Sequence, residues 1–395
     1  MKSATRISSE PENTLKVFYH YTGFHSLLIG LFPFYIPVFL WKLGFTLSEI
    51  SYFIACTGFG FCATLWLWDR ISKRIGLQTI IGGSFLVEAA LLSAVFLSGS
   101  SWFLLLFALL NGAYNCFFWI VQRVLFCEMV SPENSGKNFG NFQIFVVVFL
   151  KVGVFVGGIL LQKHGFLALY LLSIMTALLG TLSLRFFEGH LRLPAILLDE
   201  KPLSFTELLR FQDGLRSKLT FSFDGVFLYL ESYFWLISLF LIVRESFWHL
   251  GLLMIVLTII FGLLFIFIKN TIDRIAKQKI YTLAVVLYMG AWMLRGSVEG
   301  EMAKPVLFTL LVLITFCTSF FRLAFNKRFF DHAKQTSGYK YILAKSYYSQ
   351  FYIGVIFMVL GLIYSCWPEA SRTLEYSYIA AGVVSLLYLY YPLQE

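Results

Sequence analysis

The residues of this chain best placed to do chemistry are ionisable side chains set inside long apolar runs. Asp224 and Glu231 lie seven residues apart in one such run, so on an α-helix they share a face, and Trp235 extends that face by a turn. Placing a charge in the centre of a membrane helix costs roughly 2.5–3.5 kcal/mol on insertion scales, so each such residue is a candidate functional group. A carboxyl group in an apolar hollow can load and release a proton, and Glu231, nearer the middle of its run, is the preferred proton-coupling residue. Asp224 is a second candidate, able instead to pair with a cation from another helix. Static salt bridges are the alternative for both.

Another run carries Asn111, Asn115, Trp119 and Gln122 at steps of three and four residues, hence on one helical stripe, with Arg123 adjoining it. Two amides, an indole N–H and a guanidinium suit an oxygen-rich or anionic ligand. The alternative is interhelical hydrogen bonding, with Arg123 snorkelling to the surface. Lys151 and Arg322, each within an apolar run, give up to three cations with Arg123; an anionic ligand or an acidic partner such as Glu231 must neutralise them. His20 and His25 sit in the first run, where a histidine can join a proton relay or simply pack with its hydrogen bonds satisfied. Glu88, central in the third run, is a further candidate, either turned to a partner or protonated at a helix interface.

The elements that position these groups follow from composition. Of 395 residues, 58% are hydrophobic and 13% charged, with a mean hydropathy of +0.76. Soluble domains carry about a quarter charged residues, so lipid must solvate much of this chain. Twelve runs reach membrane-spanning length: 17–41, 48–68, 77–98, 102–126, 141–162, 166–187, 219–243, 247–268, 280–298, 304–326, 347–367 and 374–392. They are continuous rather than alternating, so helices and not barrel strands are expected. Pro33 and Pro37 predict a kink in the first.

With the N-terminus inside, the inner segments hold 22 of the 31 Lys and Arg and the outer segments (Lys42, Lys163, Arg244, Arg295, Lys304, Arg372) hold 6. This bias puts both termini in the cytoplasm, and it explains the net charge of +9 without nucleic acid. The expected setting is a bacterial cytoplasmic (inner) membrane. The polar N-terminus lacks an apolar signal core, so no cleaved signal peptide is expected. The reading divides the chain into a six-helix bundle at 1–187, a cytoplasmic linker at 188–218 with an amphipathic piece at 205–215, and a second six-helix bundle at 219–395. The six cysteines show neither disulfide nor metal spacing, and no metal site or cofactor is expected.

One charged cluster occurs twice. Asp69-Arg70-Ile71-Ser72-Lys73-Arg74 separates the second and third runs, and Asp273-Arg274-Ile275-Ala276-Lys277-Gln278 separates the eighth and ninth. A charged hairpin at matching places in two halves marks a duplicated membrane protein. Over nearly its whole length the chain resembles the major facilitator superfamily, whose loop pattern is G-x-x-x-D-R-x-G-R-K. Asp69, Arg70, Lys73 and Arg74 match that pattern; Leu65 and Ser72 replace its two glycines. The loop containing Gly136 and Gly140 also resembles this family, and Gly153-Val154-Phe155-Val156-Gly157-Gly158 is similar to its antiporter signature, with Val154 where proline belongs.

The resemblance implies a fold of two pseudo-symmetric bundles with the first, fourth, seventh and tenth helices lining a central cavity. It also implies that Asp69, Arg70, Arg74, Asp273 and Arg274 form a gating latch at the inner face. The function expected is secondary transport of a small solute by alternating access, as a proton-coupled symporter, with an organic anion bearing carboxylate or phosphate favoured. A monomer is expected, with lipid, solute and coupling ion as its partners. Two alternatives stand: an exporter of amphipathic drugs or lipids, and a receptor or assembly factor that kept the fold without transport. No nucleotide-binding loop or hydrolase motif is present, which disfavours an ATP-driven pump and an enzyme.

Overall fold

The computed structural model describes residues 10–72, 74–129, 135–185, 201–213, 216–272, 277–335, 337–367 and 369–391. Asp273, Arg274 and Lys73, together with residues 188–200, 214 and 215 of the linker between the halves, lie outside the described residues.

The chain is an all-α membrane protein whose rods follow the twelve apolar runs. The first is split: α1 (Glu10–Leu31) gives way to a 3₁₀ turn at Pro33–Tyr35 and then α2 (Ile36–Lys42), because a proline ring withholds its N–H and disrupts the helical ladder. Then follow α3 (Leu47–Ile71), α4 (Leu77–Ala94), α5 (Phe103–Met129), α6 (Ser135–Lys163) and α7 (Gly165–Arg185). Thr46 starts α3 with a capping box, its hydroxyl accepting from the Glu49 amide while Glu49 returns a bond to the Thr46 N–H.

The linker contributes α8 (Phe205–Arg210), capped in the same way by Ser204 and Glu207. It is shorter than the amphipathic helix expected, because Phe211 leaves helical geometry, with ψ 114°. The seventh rod comprises α9 (Ser217–Tyr229), a π turn over Leu230–Phe234, and α10 (Trp235–Ile242). The remainder are α11 (Phe247–Ile272), α12 (Lys277–Gly296), α13 (Lys304–Gln335), α14 (Gly338–Cys366) and α15 (Ala370–Ser385), which ends in a 3₁₀ turn at Leu386–Tyr390.

The closest packing within the first half is α1 against α6. A Cβ on Gly153 would meet the Leu27 carbonyl oxygen at 2.2 Å, and one on Gly157 would meet that of Leu31 at 2.3 Å. Only hydrogen can occupy these positions, so the two backbones touch. The halves join mainly along α3 with α14 and along α6 with α11. At one end Ser48 Oγ donates to the Gly361 carbonyl (2.7 Å) and the Phe247 N–H to Gln162 Oε1 (3.1 Å). At the opposite end Phe126 of α5 meets Phe330 of α13, with ring centres 4.9 Å apart. The two halves therefore touch at both ends, above and below the charged groups.

Candidate functional site

The second half holds a connected cluster of ionised groups. Arg322, on α13, places Nη1 2.7 Å from Asp224 Oδ1 and donates to Glu231 through Nε (3.2 Å) and Nη2 (3.2 Å). Lys345, about two turns inside α14, lies 2.8 Å from Asp224 Oδ2. Tyr388 donates its hydroxyl to Asp224 (2.8 Å), and Tyr288 donates to Glu231 while accepting from Arg322 Nη2 (3.1 Å). Two carboxylates are thus neutralised by two cations and bonded to two tyrosines, the arrangement that makes buried charge tolerable. Asp224 and Lys345 are sealed (1% and 4% of the side chain exposed), whereas Glu231 and Arg322 keep 14% and 15%. The cluster therefore opens at its Glu231–Arg322 end.

The π turn sets this geometry. It inserts one residue relative to an α-helical turn, so the stripe shared by Asp224 and Glu231 does not continue to Trp235. Trp235 instead packs with its ring edge on Tyr378 and its face toward the Arg295 guanidinium (5.4 Å).

In the first half the α5 stripe forms a hydrogen-bonded relay. Trp119 Nε1 donates to Asn115 Oδ1 (3.1 Å), Asn115 Nδ2 to Asn111 Oδ1 (3.2 Å), and Asn111 Nδ2 to Tyr233 Oη (3.0 Å) on the facing π turn. The relay crosses between halves, and Asn115, Trp119 and Arg123 remain half-buried while Gln122 is buried. Arg123 sits over the Trp119 ring (5.7 Å) and within electrostatic reach of Asp224. Lys151 faces the Phe34 ring (5.1 Å) at the kink of the first rod. Among the described residues, Arg123, Lys151 and Arg295 have no carboxylate within ion-pair distance.

His25 and Glu88 meet in the core of the first half, with Nδ1 3.4 Å from Oε2, away from the other charges. His20 is half-buried a turn and a half nearer the inner end, its ring edge-on to Phe24. Near the end of α3 the buried Asp69 accepts from the Tyr339 hydroxyl (2.6 Å) and from the Leu203 amide (2.8 Å), so it ties α3 to α14 and to the linker. Arg70 stacks on Trp66 and donates to its carbonyl, and Arg74 is exposed; the cross-half contact is made by Asp69.

Several contributors escaped the sequence. Lys345 counted as an inner-loop charge because its flanks are polar, yet α14 begins at Gly338 and carries it into the bundle. Arg295 counted with the outer loop, but it occupies the last turn of α12 and is 4% exposed, donating to Thr318 (2.7 Å) and flanked by Trp292 (4.3 Å). Tyr233, Tyr288 and Tyr388 carry no spacing signal among the chain's 21 tyrosines.

The family model described as Major Facilitator Superfamily matches residues 21–339. Among solved structures, a variant of the nucleoside transporter NupG superposes with TM-score 0.71 at 14% identity, covering 95% of this chain and 98% of that one. A second NupG structure gives 0.66 at 15% identity with the same coverage. No curated protein matches by sequence.

Proposed function

Since the chain belongs to the Major Facilitator Superfamily, a family of secondary transporters, we propose that it carries a small organic anion across the membrane by alternating access, coupled to protons. One observation supports the cargo: Arg123, Lys151 and Arg295 are set among the bundle helices without carboxylate partners, while the acids of the second half are already taken by Arg322 and Lys345. Uncompensated cations in a low-dielectric interior favour a carboxylate or phosphate that neutralises them. Arg123 and Lys151 contribute charge, Asn115 and Trp119 contribute polar donors and acceptors once the relay opens, and Glu231 with Arg322 forms the exposed edge of the facing wall. Asp224, Arg322 and Lys345 hold that wall in shape. The membrane is a cytoplasmic one with both ends of the chain inside, as the Lys and Arg asymmetry indicates.

The test is a thermal-shift screen of the full-length protein in detergent against mono- and dicarboxylates, sugar phosphates, uncharged nucleosides and amphipathic cations. A bound ligand raises the midpoint by mass action. A carboxylate or phosphate should raise it, and Arg123→Gln and Lys151→Gln should each remove the shift. Stabilisation by a nucleoside (the cargo named for the similar structures) or by an amphipathic cation, with no response to any anion, would overturn the reading.

A further inference from the structure

The His25–Glu88 pair takes no part in the solute site, and its geometry fixes where its hydrogens lie. Ser84 Oγ donates to the Ile81 carbonyl at 2.6 Å, which commits its single hydrogen. The contact between Ser84 Oγ and His25 Nε2, at 2.7 Å, must then be donated by the ring, so Nε2 carries a hydrogen. The other ring nitrogen, Nδ1, faces Glu88 Oε2 at 3.4 Å. The imidazole is held in place, stacked on Phe85 at 4.0 Å and bordered by Phe118 at 5.0 Å.

We propose that His25 and Glu88 form a proton-carrying site inside the first bundle, with one proton shared between Nδ1 and Oε2, kept while the pair is buried and exchanged when that bundle admits water. This deepens the transport reading, on which it rests, by naming where the coupling proton rides. Charge balance makes one the favoured number. With one proton the pair is neutral overall, whether as carboxylate with imidazolium or as carboxylic acid with neutral ring. Losing that proton leaves a lone buried carboxylate, and gaining a second leaves a lone imidazolium; both are costly in a low-dielectric core.

Among the described residues no cation other than His25 lies within ion-pair distance of Glu88, and Lys151 of α6, the helix packed on α1, faces the Phe34 ring (5.1 Å). Glu88 is the sole charged residue of α4. From α1 the pair is faced by Tyr21, whose hydroxyl is spent on the Phe118 carbonyl (3.2 Å). From α5 it is faced by Tyr114, which lies in electrostatic contact with Glu88. On the α7 side, Gly180 packs against Phe85, and the single charged residue of that helix is Arg185 at its far end. Both Glu88 oxygens, His25 Nδ1 and Tyr114 Oη are buried with no hydrogen-bond partner among the described residues. These are polar atoms that a mobile proton, or the water bringing it, would satisfy. Glu231 is differently placed: Arg322 and Tyr288 both donate to it, so its oxygens are already partnered within the second-half cluster.

Two readouts on the full-length protein in lipid test the site. In solute-free nanodiscs, nitrogen-15 NMR of the histidines should show the His25 Nδ1 resonance move on Glu88→Gln and stay in place on Glu231→Gln. An unmoved resonance in Glu88→Gln would overturn the proposal. In vesicles, a pH gradient should concentrate the anion identified by the screen in the wild type. Glu88→Gln should lose accumulation above the outside concentration while counterflow exchange continues. The apolar double variant His25→Leu/Glu88→Leu, which removes both partners and so leaves no buried orphan charge, should fold and be equally uncoupled. Gradient-driven accumulation by either variant would overturn the proposal. A wild type that moves no anion would count against the transport reading and leave the NMR result standing on its own.

Discussion

Arg322 and Asp224, on α13 and α9, meet at 2.7 Å, and the same guanidinium reaches past the start of the π turn to Glu231. One cation thus staples α9 and the π turn that follows it to their neighbour α13. Replacing it by an apolar group of similar length leaves Asp224 with Lys345 alone and takes from Glu231 the cation that is in ion-pair contact with it among the described residues. Arg322→Met should destabilise the protein by about 3–5 kcal/mol, the usual consequence of removing one partner from a buried pair. Unfolding in denaturing detergent, compared with the wild type, measures this; an unchanged transition would mean that Lys345 and the tyrosines suffice.

Asp69 anchors its end of the bundle through the Tyr339 hydroxyl and the Leu203 amide. Asp69→Asn removes the charge that strengthens both bonds, by about 1.5–3 kcal/mol for a charged acceptor. The inner ends should then separate more often. A cysteine pair at Phe126 and Phe330, now 4.9 Å apart by ring centres, should cross-link more slowly in the Asp69→Asn background. Equal rates would deny Asp69 a part in holding that end shut.

The α1–α6 seam tolerates no side chain at Gly153, where a Cβ would stand 2.2 Å from a backbone oxygen. Gly153→Leu should prevent accumulation of folded protein. Gly262→Ala, on a helix with open space around it, should accumulate normally. Fluorescence-detected size exclusion distinguishes the two, and a well-behaved Gly153→Leu would show that the seam can part.

Glu207 is held below the usual carboxylate range by hydrogen bonds from the Ser204 backbone and hydroxyl. A group with a depressed folded value contributes stability above its unfolded value and loses it as pH falls through the folded one. The α8 cap should therefore be intact at neutral pH and fail on acidification below the ordinary glutamate range. Limited proteolysis of the linker should accelerate there, and Glu207→Gln should remove most of that pH dependence.

Much of the architecture could be read in the residues themselves, because a rod that crosses lipid must be long and apolar whatever its partners. The pairing of Asp224 and Glu231 on one face was legible from their separation, and Arg322 from its isolation in an apolar run. Lys345 and Arg295 were not, since a charge near the end of a run looks the same whether the helix stops before it or continues past it. The π turn was invisible for another reason: hydrophobic periodicity records which faces are buried, and one surplus residue in a rod buried on most sides leaves that record unchanged. The α5 stripe was legible as a stripe, but not as a relay, because the amides bond to one another and to Tyr233 across the interface.

The surplus residue at Leu230–Phe234 gives the seventh rod a slack that an unbroken helix lacks. Drawing that slack out would turn α10 by about 100° relative to α9, the angle one residue subtends on a helix. Asp224, below the irregularity, would keep its grip on Lys345 and Arg322. Tyr233, within it, would be swung off Asn111. Such a swivel would free the α10 end of the rod from the opposite half while α9 kept its ion pairs.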